Sequence, residues 1–442
     1  MKYILLWIVT AMLLQTNIFA QAAKMDHEIK KELLQNVIHL IDENYVYPDE
    51  AVTISQYLKV QYETGKYDSL ATCNELEKAF NKDLWFISKD KHIRITYNPD
   101  LEKDVLKFAS SKSAASKFSQ SEADRGKQKN FYFREVRILP SNIGYIEFNN
   151  FARPDKESRK TLHAVMQFIS NTDALIIDLR NNYGGNGSMV TEMLAYFFDG
   201  RTYIGKTFNR IENTWTNIYT ENSKKQTKGL VFDKPVYVLT SKETFSAAES
   251  LAYTLKYSRN AVIIGENTKG GAHLTRSFSL GNGFVGFIPY SRFENSRTET
   301  DWEDTGVIPD VNVSAENSLI TAQQAILKKK LILADQNEKK KINWLLNYYR
   351  SKTTNYEIKN SVAHQYAGRF SEFEIIYENN QLKIRDTNQA GVDFKILVPI
   401  TGTLFQVGNV YQVEFTNRTK DRYTVINMYW EDGWAEKIER QN

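Results

Sequence analysis

Apolar residues recur at helical spacing from Ile29 to Tyr47, with Leu33, Val37, Leu40 and Ile41 on one face, and Pro48 closes the pattern. Two more helical stretches follow, over Ala51–Tyr62 and Asn74–Leu84. Together they predict a helical N-terminal domain over residues 24–87. The end of Ser88–Tyr97 alternates like a strand. Strands and helices then take turns. Strands are predicted at Phe131–Leu139, Ile143–Phe148, Ala174–Leu179, Val236–Leu239 and Ala261–Ile264, and helices at Lys156–Ser170, Ser188–Phe198 and Ala247–Tyr257. That alternation implies an α/β core, assigned to residues 88–317, and the unbroken apolar run Ala174–Ile177 fits a parallel strand covered on both faces. A helical connector is predicted over residues 318–352, with Leu, Ile and Trp on one side and Lys on the other. From residue 353 onward short alternating strands, such as Phe373–Tyr377, Gln381–Arg385, Phe394–Leu397, Val410–Phe415 and Tyr423–Tyr429, predict a small all-β C-terminal domain. Residues 110–129, rich in Ser, Lys and Ala, are expected to form a flexible loop or lid.

The first residues change the expected location. Lys2, the apolar run Tyr3–Leu14 and the small residues Ala20, Ala22 and Ala23 have the order of a secretory signal peptide, assigned to residues 1–23. The run is interrupted by Gln15, Thr16 and Asn17 and falls short of the ~20 apolar residues that span a bilayer. Export to the periplasm or the extracellular space is expected, with membrane attachment only if the signal stays uncleaved. The single cysteine, Cys73, allows no internal disulfide, so stability must come from core burial. Across 442 residues the formal net charge is only +4, and the lysine runs Lys328–Lys330 and Lys339–Lys341 read as solvated helix faces. No zinc-finger spacing or RNA-binding motif accompanies them, so nucleic acid is not an expected partner. There is no His-Glu-x-x-His pair or similar ligand spacing, and no metal or cofactor is expected.

Four segments could carry chemistry. In Thr244-Phe-Ser-Ala-Ala-Glu249, Ser246 follows an apolar strand and opens a helix. Free backbone N–H groups and the helix dipole at that position suit a nucleophile whose attack creates an oxyanion. The same residues also spell a Ser-x-x-Glu capping box, so residue type alone leaves both readings open. In Asp178-Leu-Arg-Asn-Asn-Tyr-Gly-Gly-Asn-Gly187 a buried strand runs into a glycine turn. Either a phosphate cradle, although the Lys-Ser/Thr ending is missing, or an oxyanion hole is compatible with it. Of six histidines, His92 precedes a strand and His273 follows a glycine loop, and both could act as a general base. In Trp302–Asp310, Glu303 could orient such a base.

Occurring together, these segments resemble the tail-specific, or C-terminal processing, serine peptidase family, in its branch with tricorn protease and interphotoreceptor retinoid-binding protein. The resemblance rests on Asp178–Gly185, Phe245–Glu249, Gly265–Gly271, Asp90-Lys-His92, Gly306-Val-Ile-Pro-Asp310 and Glu43-Asn-Tyr-Val-Tyr-Pro48, and spans Ile29–Val313. It implies a crotonase- or Clp-protease-like core and hydrolysis of peptide or protein substrates through an acyl-enzyme. By position it implies Ser246 as nucleophile, His92 as base, Glu303 as the distant acid, and the N–H groups of Ala247 and of Gly184 or Gly185 as the oxyanion hole. Many relatives use a Ser/Lys dyad, but the position three after Thr268 is Gly271, and Lys269 lies one after it. Lys269 and His273 stand as alternative bases. A carrier of a hydrophobic ligand or peptide on the same scaffold is the competing reading.

Overall fold

The computed structural model describes residues 26–110, 121–221, 227–389 and 391–441. The expected signal peptide lies outside them. Two compact units emerge: one formed by the residues through Ile138 with Gly144–Asn312, the other by Leu139–Ile143 with Val313–Asn442.

In the first unit the strands are β1 (Arg94–Tyr97), β2 (Phe133–Leu139), β3 (Ile143–Phe148), β4 (Ala174–Asp178), β5 (Tyr203–Asn209), β6 (Thr214–Tyr219), β7 (Val236–Thr240), β8 (Val262–Gly265), β9 (Leu274–Gly281), β10 (Phe284–Asn295) and β11 (Val311–Asn312). A six-stranded sheet has the order β11-β8-β7-β4-β3-β2, and β4, β7, β8 and β11 run parallel. Every residue of β4 and of β7 is buried, as their apolar runs require. The helices Lys156–Phe168, Gly187–Leu194 and Ala247–Arg259 contribute Leu162, Met193 and Leu251 to the same core. A second sheet has the order β1-β10-β5-β6, with β9 also paired to β10. The sequence pattern assigned no strand to β5, β6, β9 or β10. In β10 the reason is local: Pro289 interrupts the run, and the register to β9 shifts just after it, the irregularity a proline needs within a sheet.

The N-terminal helices His27–Asn44, Pro48–Glu63 and Cys73–Ser88 form as their patterns predict, with Asp26 and Thr72 as side-chain caps. Pro48 is the first residue of the second helix, where its missing N–H costs nothing. Leu33, Ile41, Leu58 and Phe80 share a core with Ile95 of β1 and Phe284 and Ile288 of β10. The helical region is thus packed on the second sheet. Part of the expected loop departs from expectation: residues 121–128 are helical, while residues 111–120 lie outside the described residues.

In the second unit the predicted connector is two helices, Ala315–Leu333 and Gln336–Thr353, broken where Asp335 caps the second by accepting from Glu338 N–H at 2.8 Å. Eight strands follow, from Gly368–Phe370 to Ala435–Glu439, each antiparallel to the next. A bridge between Phe370 and Arg440 brings the first and last edges together into a nearly closed barrel. Eight strands leave an interior that side chains can fill, and Phe370, Phe405 and Phe415 fill it.

Candidate active site

Three adjacent parallel strands, β4, β7 and β8, end on one edge of the first sheet. Crevices at the carboxyl ends of such strands are where open α/β sheets bind ligands. From that edge leave the Asp178–Gly185 turn, the Ser241–Ser246 turn and the loop Glu266–His273. The first two are braced to each other: Ser241 Oγ donates to Arg180 O, Thr244 Oγ1 to Leu179 O at 2.8 Å, and Phe245 N–H to Asn182 O at 3.1 Å.

Ser246 sits at the N-cap of Ala247–Arg259 with φ 55° and ψ −117°. Those angles lie outside the small left-handed well open to L-residues, so the backbone is strained where the strand turns into the helix. Glu249 Oε2 accepts from Ser246 N–H at 2.7 Å, the half of the expected capping box that the carboxylate supplies. Gly184 lies directly behind the serine, where a methyl group would fall 2.9 Å from Ser246 Cβ and 3.2 Å from Ala247 N. With φ 98°, Gly184 is a position that only glycine occupies without strain. Its own N–H donates to Asn182 Oδ1 at 3.0 Å. Among the described residues, neither the Gly185 nor the Ala247 N–H has an acceptor. The two unclaimed N–H groups beside Ser246 are therefore those of Gly185 and Ala247.

Glu249 does more than cap. Fully buried, it also accepts from Thr268 Oγ1, from Gly270 N–H and from Gly271 N–H, and so pins the glycine loop to the serine turn. Burial raises its pKa, against the pull of those hydrogen bonds. The sequence reading saw Glu249 only as a cap, because its other partners lie about twenty residues away in the chain.

His92 precedes β1, and its N–H is held by Asp90 Oδ1 at 2.7 Å. Its ring stacks on Phe245, next to the serine, with centroids 5.0 Å apart. A methyl group on Gly271 would fall 2.6 Å from His92 Cε1, so this glycine lets the loop lie against the ring. His92 Nδ1 is buried without a hydrogen-bond partner, and so is Glu303 Oε1, 3.9 Å away. Glu303 is fixed through its other oxygen, which accepts from Ala272 N–H and His273 N–H.

His273 is occupied on both sides: Nδ1 is 2.9 Å from Asp90 Oδ2 and Nε2 3.3 Å from Tyr47 Oη. Burial alone would favour its neutral form, but the hydrogen bond to Asp90 and the charges of Glu303 and Asp90 outweigh that and raise its pKa. The Tyr47 hydroxyl is pushed up to about 12, first by burial and then by Asp301. Lys269 is exposed, and its ammonium lies over the Phe245 ring at 5.2 Å. The fold thus brings together Ser246, Ala247, Gly184, Gly185, His92 and Glu303, holds His273 beside them between Asp90 and Tyr47, and leaves Lys269 at the rim. It also draws in Asp90, Tyr47 and Asn182 as supports. Asp90 was visible beforehand only as part of the Asp-x-His motif. Asp310 of the closing motif has a structural task, accepting from Ile263 N–H at 2.8 Å and pairing with Lys256 at 2.9 Å.

This chain is similar to several known proteins. The curated chloroplastic carboxyl-terminal-processing peptidase 2 of Arabidopsis thaliana is 28% identical over 172 residues, which cover 38% of this chain and 31% of that protein. The carboxyl-terminal-processing protease of Synechocystis sp. is 29% identical over 170 residues, covering 38% of this chain and 37% of that one. The chain thus spans about a third of the length of either relative. Among solved structures, the photosystem II D1 C-terminal processing protease aligns over 65% of this chain and 94% of its own at 16% identity and a TM-score of 0.43. Tricorn protease aligns over 73% of this chain and 37% of its own at 13% identity and a TM-score of 0.40. Residues 142–313 match the family model described as peptidase family S41. Residues 21–139 match the model described as the N-terminal domain of peptidase S41 in eukaryotic IRBP. With both models matched in order along one chain, the protein belongs to peptidase family S41.

Proposed function

We propose that this chain is an exported serine peptidase that cleaves peptide or protein substrates through an acyl-enzyme on Ser246, on a crotonase- or Clp-protease-like core. The observation that carries the reading is the strained Ser246 at a helix start, with the Gly185 and Ala247 N–H groups open beside it. Ser246 Oγ attacks the scissile carbonyl, and the negative charge that develops on its oxygen meets those two donors. His92 takes the serine proton and returns it to the leaving amine. Its Nδ1 and Glu303 Oε1 are both unclaimed at 3.9 Å, so closing by about an ångström forms the bond that holds the ring in the right tautomer. Losing one oxyanion donor would slow such a reaction ~100–1000-fold.

A fluorophosphonate probe should label the full chain at Ser246, and the label should vanish in Ser246→Ala while the melting temperature stays put. Equal labelling of the variant would overturn the assignment. A wild-type chain that takes no label and hydrolyses no peptide would favour the carrier reading.

A further inference from the structure

Asp90, His92, His273 and Glu303 come from three separate parts of the chain, yet each turns a potential ligand atom toward one point, and those atoms all lie within 4.8 Å of one another. His273 Nδ1 is 3.6 Å from Glu303 Oε2, and His92 Nδ1 is 3.7 Å from Asp90 Oδ1 and 3.9 Å from Glu303 Oε1. A tetrahedral zinc ion with bonds of ~2.0–2.2 Å needs ligand atoms about 3.3–3.6 Å apart. Three of the six edges, taken to either oxygen of Glu303, are within a few tenths of an ångström of that, while His273 Nδ1 and Asp90 Oδ2, at 2.9 Å, would have to part slightly to admit the ion.

Three further features point to a cation. First, His92 Nδ1 and Glu303 Oε1 have no hydrogen-bond partner, although their side chains are only 8% and 9% exposed. Native structures rarely keep a buried polar atom unpaired without a use for it. Second, the outer contacts already orient the ligands. Tyr47 Oη holds His273 Nε2, which leaves Nδ1 facing inward, and the backbone N–H groups of Ala272 and His273 hold one oxygen of Glu303, which leaves the other free. Metal sites are built with outer shells of this kind. Third, the surroundings are acidic. Glu50, Asp301 and Asp304 interact electrostatically with the cluster, against Lys91 and Arg292.

We propose that Asp90, His92, His273 and Glu303 form a binding site for a divalent transition cation of the zinc class, and that its occupancy switches the peptidase off. The switch rests on His92 being the base; the binding does not. A neutral imidazole that ligates through Nδ1 carries its proton on Nε2, so it has no lone pair left to accept the serine proton. Glu303 is withdrawn from His92 by the same event. Cation binding and proton transfer therefore exclude each other.

The test uses the full chain carrying Ser246→Ala, stripped with chelator and titrated with Zn²⁺ by calorimetry and with Co²⁺ by visible absorption. One equivalent should bind, and cobalt should show the intense visible bands of four-coordination, a readout that needs no ligand variant to fold. Adding His273→Ala or Asp90→Ala should weaken binding by at least roughly 10–100-fold, the loss that even outer-shell partners cause; adding His39→Ala, on an exposed helix face, should not. No stoichiometric binding, a six-coordinate cobalt spectrum, or affinity indifferent to His273→Ala would overturn the site. In the wild-type chain Zn²⁺ should block fluorophosphonate labelling and chelator should restore it. Labelling that persists at saturating Zn²⁺ overturns the switch. Absence of labelling in the metal-free wild type overturns the peptidase reading instead, and leaves the calorimetry to judge the site.

Discussion

In the barrel, Gln406 and Gln412 are each 1% exposed, and each finds partners: Gln412 Nε2 donates to Trp344 O and Gln406 Oε1, and Gln406 Nε2 to Gly408 O and Tyr411 O. In the α/β unit, the His92 Nδ1 and Glu303 Oε1 atoms are buried too and have none. Among the described residues, every buried side-chain polar atom without a partner belongs to the α/β unit. Backbone strain divides the same way. The barrel's positive φ angles include Asn379 and Asn380, at a hairpin turn where asparagine tolerates the left-handed region cheaply. Ser246 combines φ 55° with ψ −117°, close to the first central position of a type II′ turn, which glycine normally fills and a serine occupies only with strain. A structure tolerates such costs where groups are held ready for something outside the chain. Among the described residues the barrel unit leaves no buried side-chain polar atom unpaired, whereas the α/β unit leaves several, one of them on His92, whose ring stacks on Phe245 beside Ser246.

The sharpest way to break that contrast is at the histidines. His92→Ala should lower turnover of a peptide substrate by roughly 10³–10⁴-fold, because a base acting in the transition state is lost. Lys269→Ala should leave turnover within about threefold, since an exposed ammonium over the Phe245 ring is a weak contact. Steady-state kinetics on both variants decides between them. The reverse ranking would restore a Ser/Lys dyad and make the unpaired atoms of His92 irrelevant to chemistry.

Much of this site was legible in the chain because its scaffold is locally encoded. The run Ala174–Ile177 reads as a strand covered on both faces and Val236–Leu239 as an apolar strand, and both are buried throughout. Phe-Ser-Ala-Ala-Glu opens its helix where the pattern placed it. What could not be read depends on distant pairing. Asp90 meets His273 across 183 positions, and Glu249 meets the glycine loop across about twenty. No spacing rule in a linear sequence encodes either meeting. Apart from β1, the second sheet was hidden for a different reason. In β5 and β6 Thr and Asn are interleaved with the aromatics and the faces are half-exposed, while Pro289 breaks the pattern of β10. The barrel revealed only five of its strands, since pieces as short as Gly368–Phe370 carry no period of their own.

A smaller change sharpens the contrast without touching a reacting group. Gly271→Ala places a methyl group 2.2 Å from the Phe245 ring and 2.6 Å from His92. The loop or the His92 ring must move. A displacement of about 1 Å at a catalytic group costs on the order of 100-fold in rate. The expected signature is a fall in kcat with little change in KM, and a melting temperature within a few degrees of wild type. A Gly271→Ala chain with unaltered kcat would mean that His92 does not need its place against Phe245.

Glu249→Gln should act more on stability than on rate. Each oxygen of Glu249 accepts two hydrogen bonds, so an amide NH₂ in place of either oxygen faces two donors. Leaving buried donors unmet costs about 1–3 kcal/mol each, and the glycine loop should loosen. Urea unfolding should show the loss, hydrogen exchange at Gly270 and Gly271 should quicken, and turnover should fall about tenfold as the donors beside Ser246 lose their anchor. Unchanged exchange in the loop would remove Glu249 from its place as the pin between loop and serine turn.

The smallest expected effect on chemistry comes from the most drastic change in the barrel. Phe415 is 1% exposed and packs edge-on against Tyr366 and Phe405 with centroids 5.0 and 5.4 Å apart. Phe415→Ala should destabilise the barrel unit by about 3–5 kcal/mol, the usual cost of an emptied aromatic site. Turnover of a short peptide should nevertheless stay within about twofold at temperatures where the α/β unit is folded, because every group assigned to the reaction lies in that unit. Differential scanning calorimetry should show one transition shifted down and another in place. If kcat instead fell with the barrel transition, the barrel would be supplying something to catalysis that its satisfied interior does not reveal. The division between a unit that stores unmet valences and one that stores none would then no longer mark where the chemistry is.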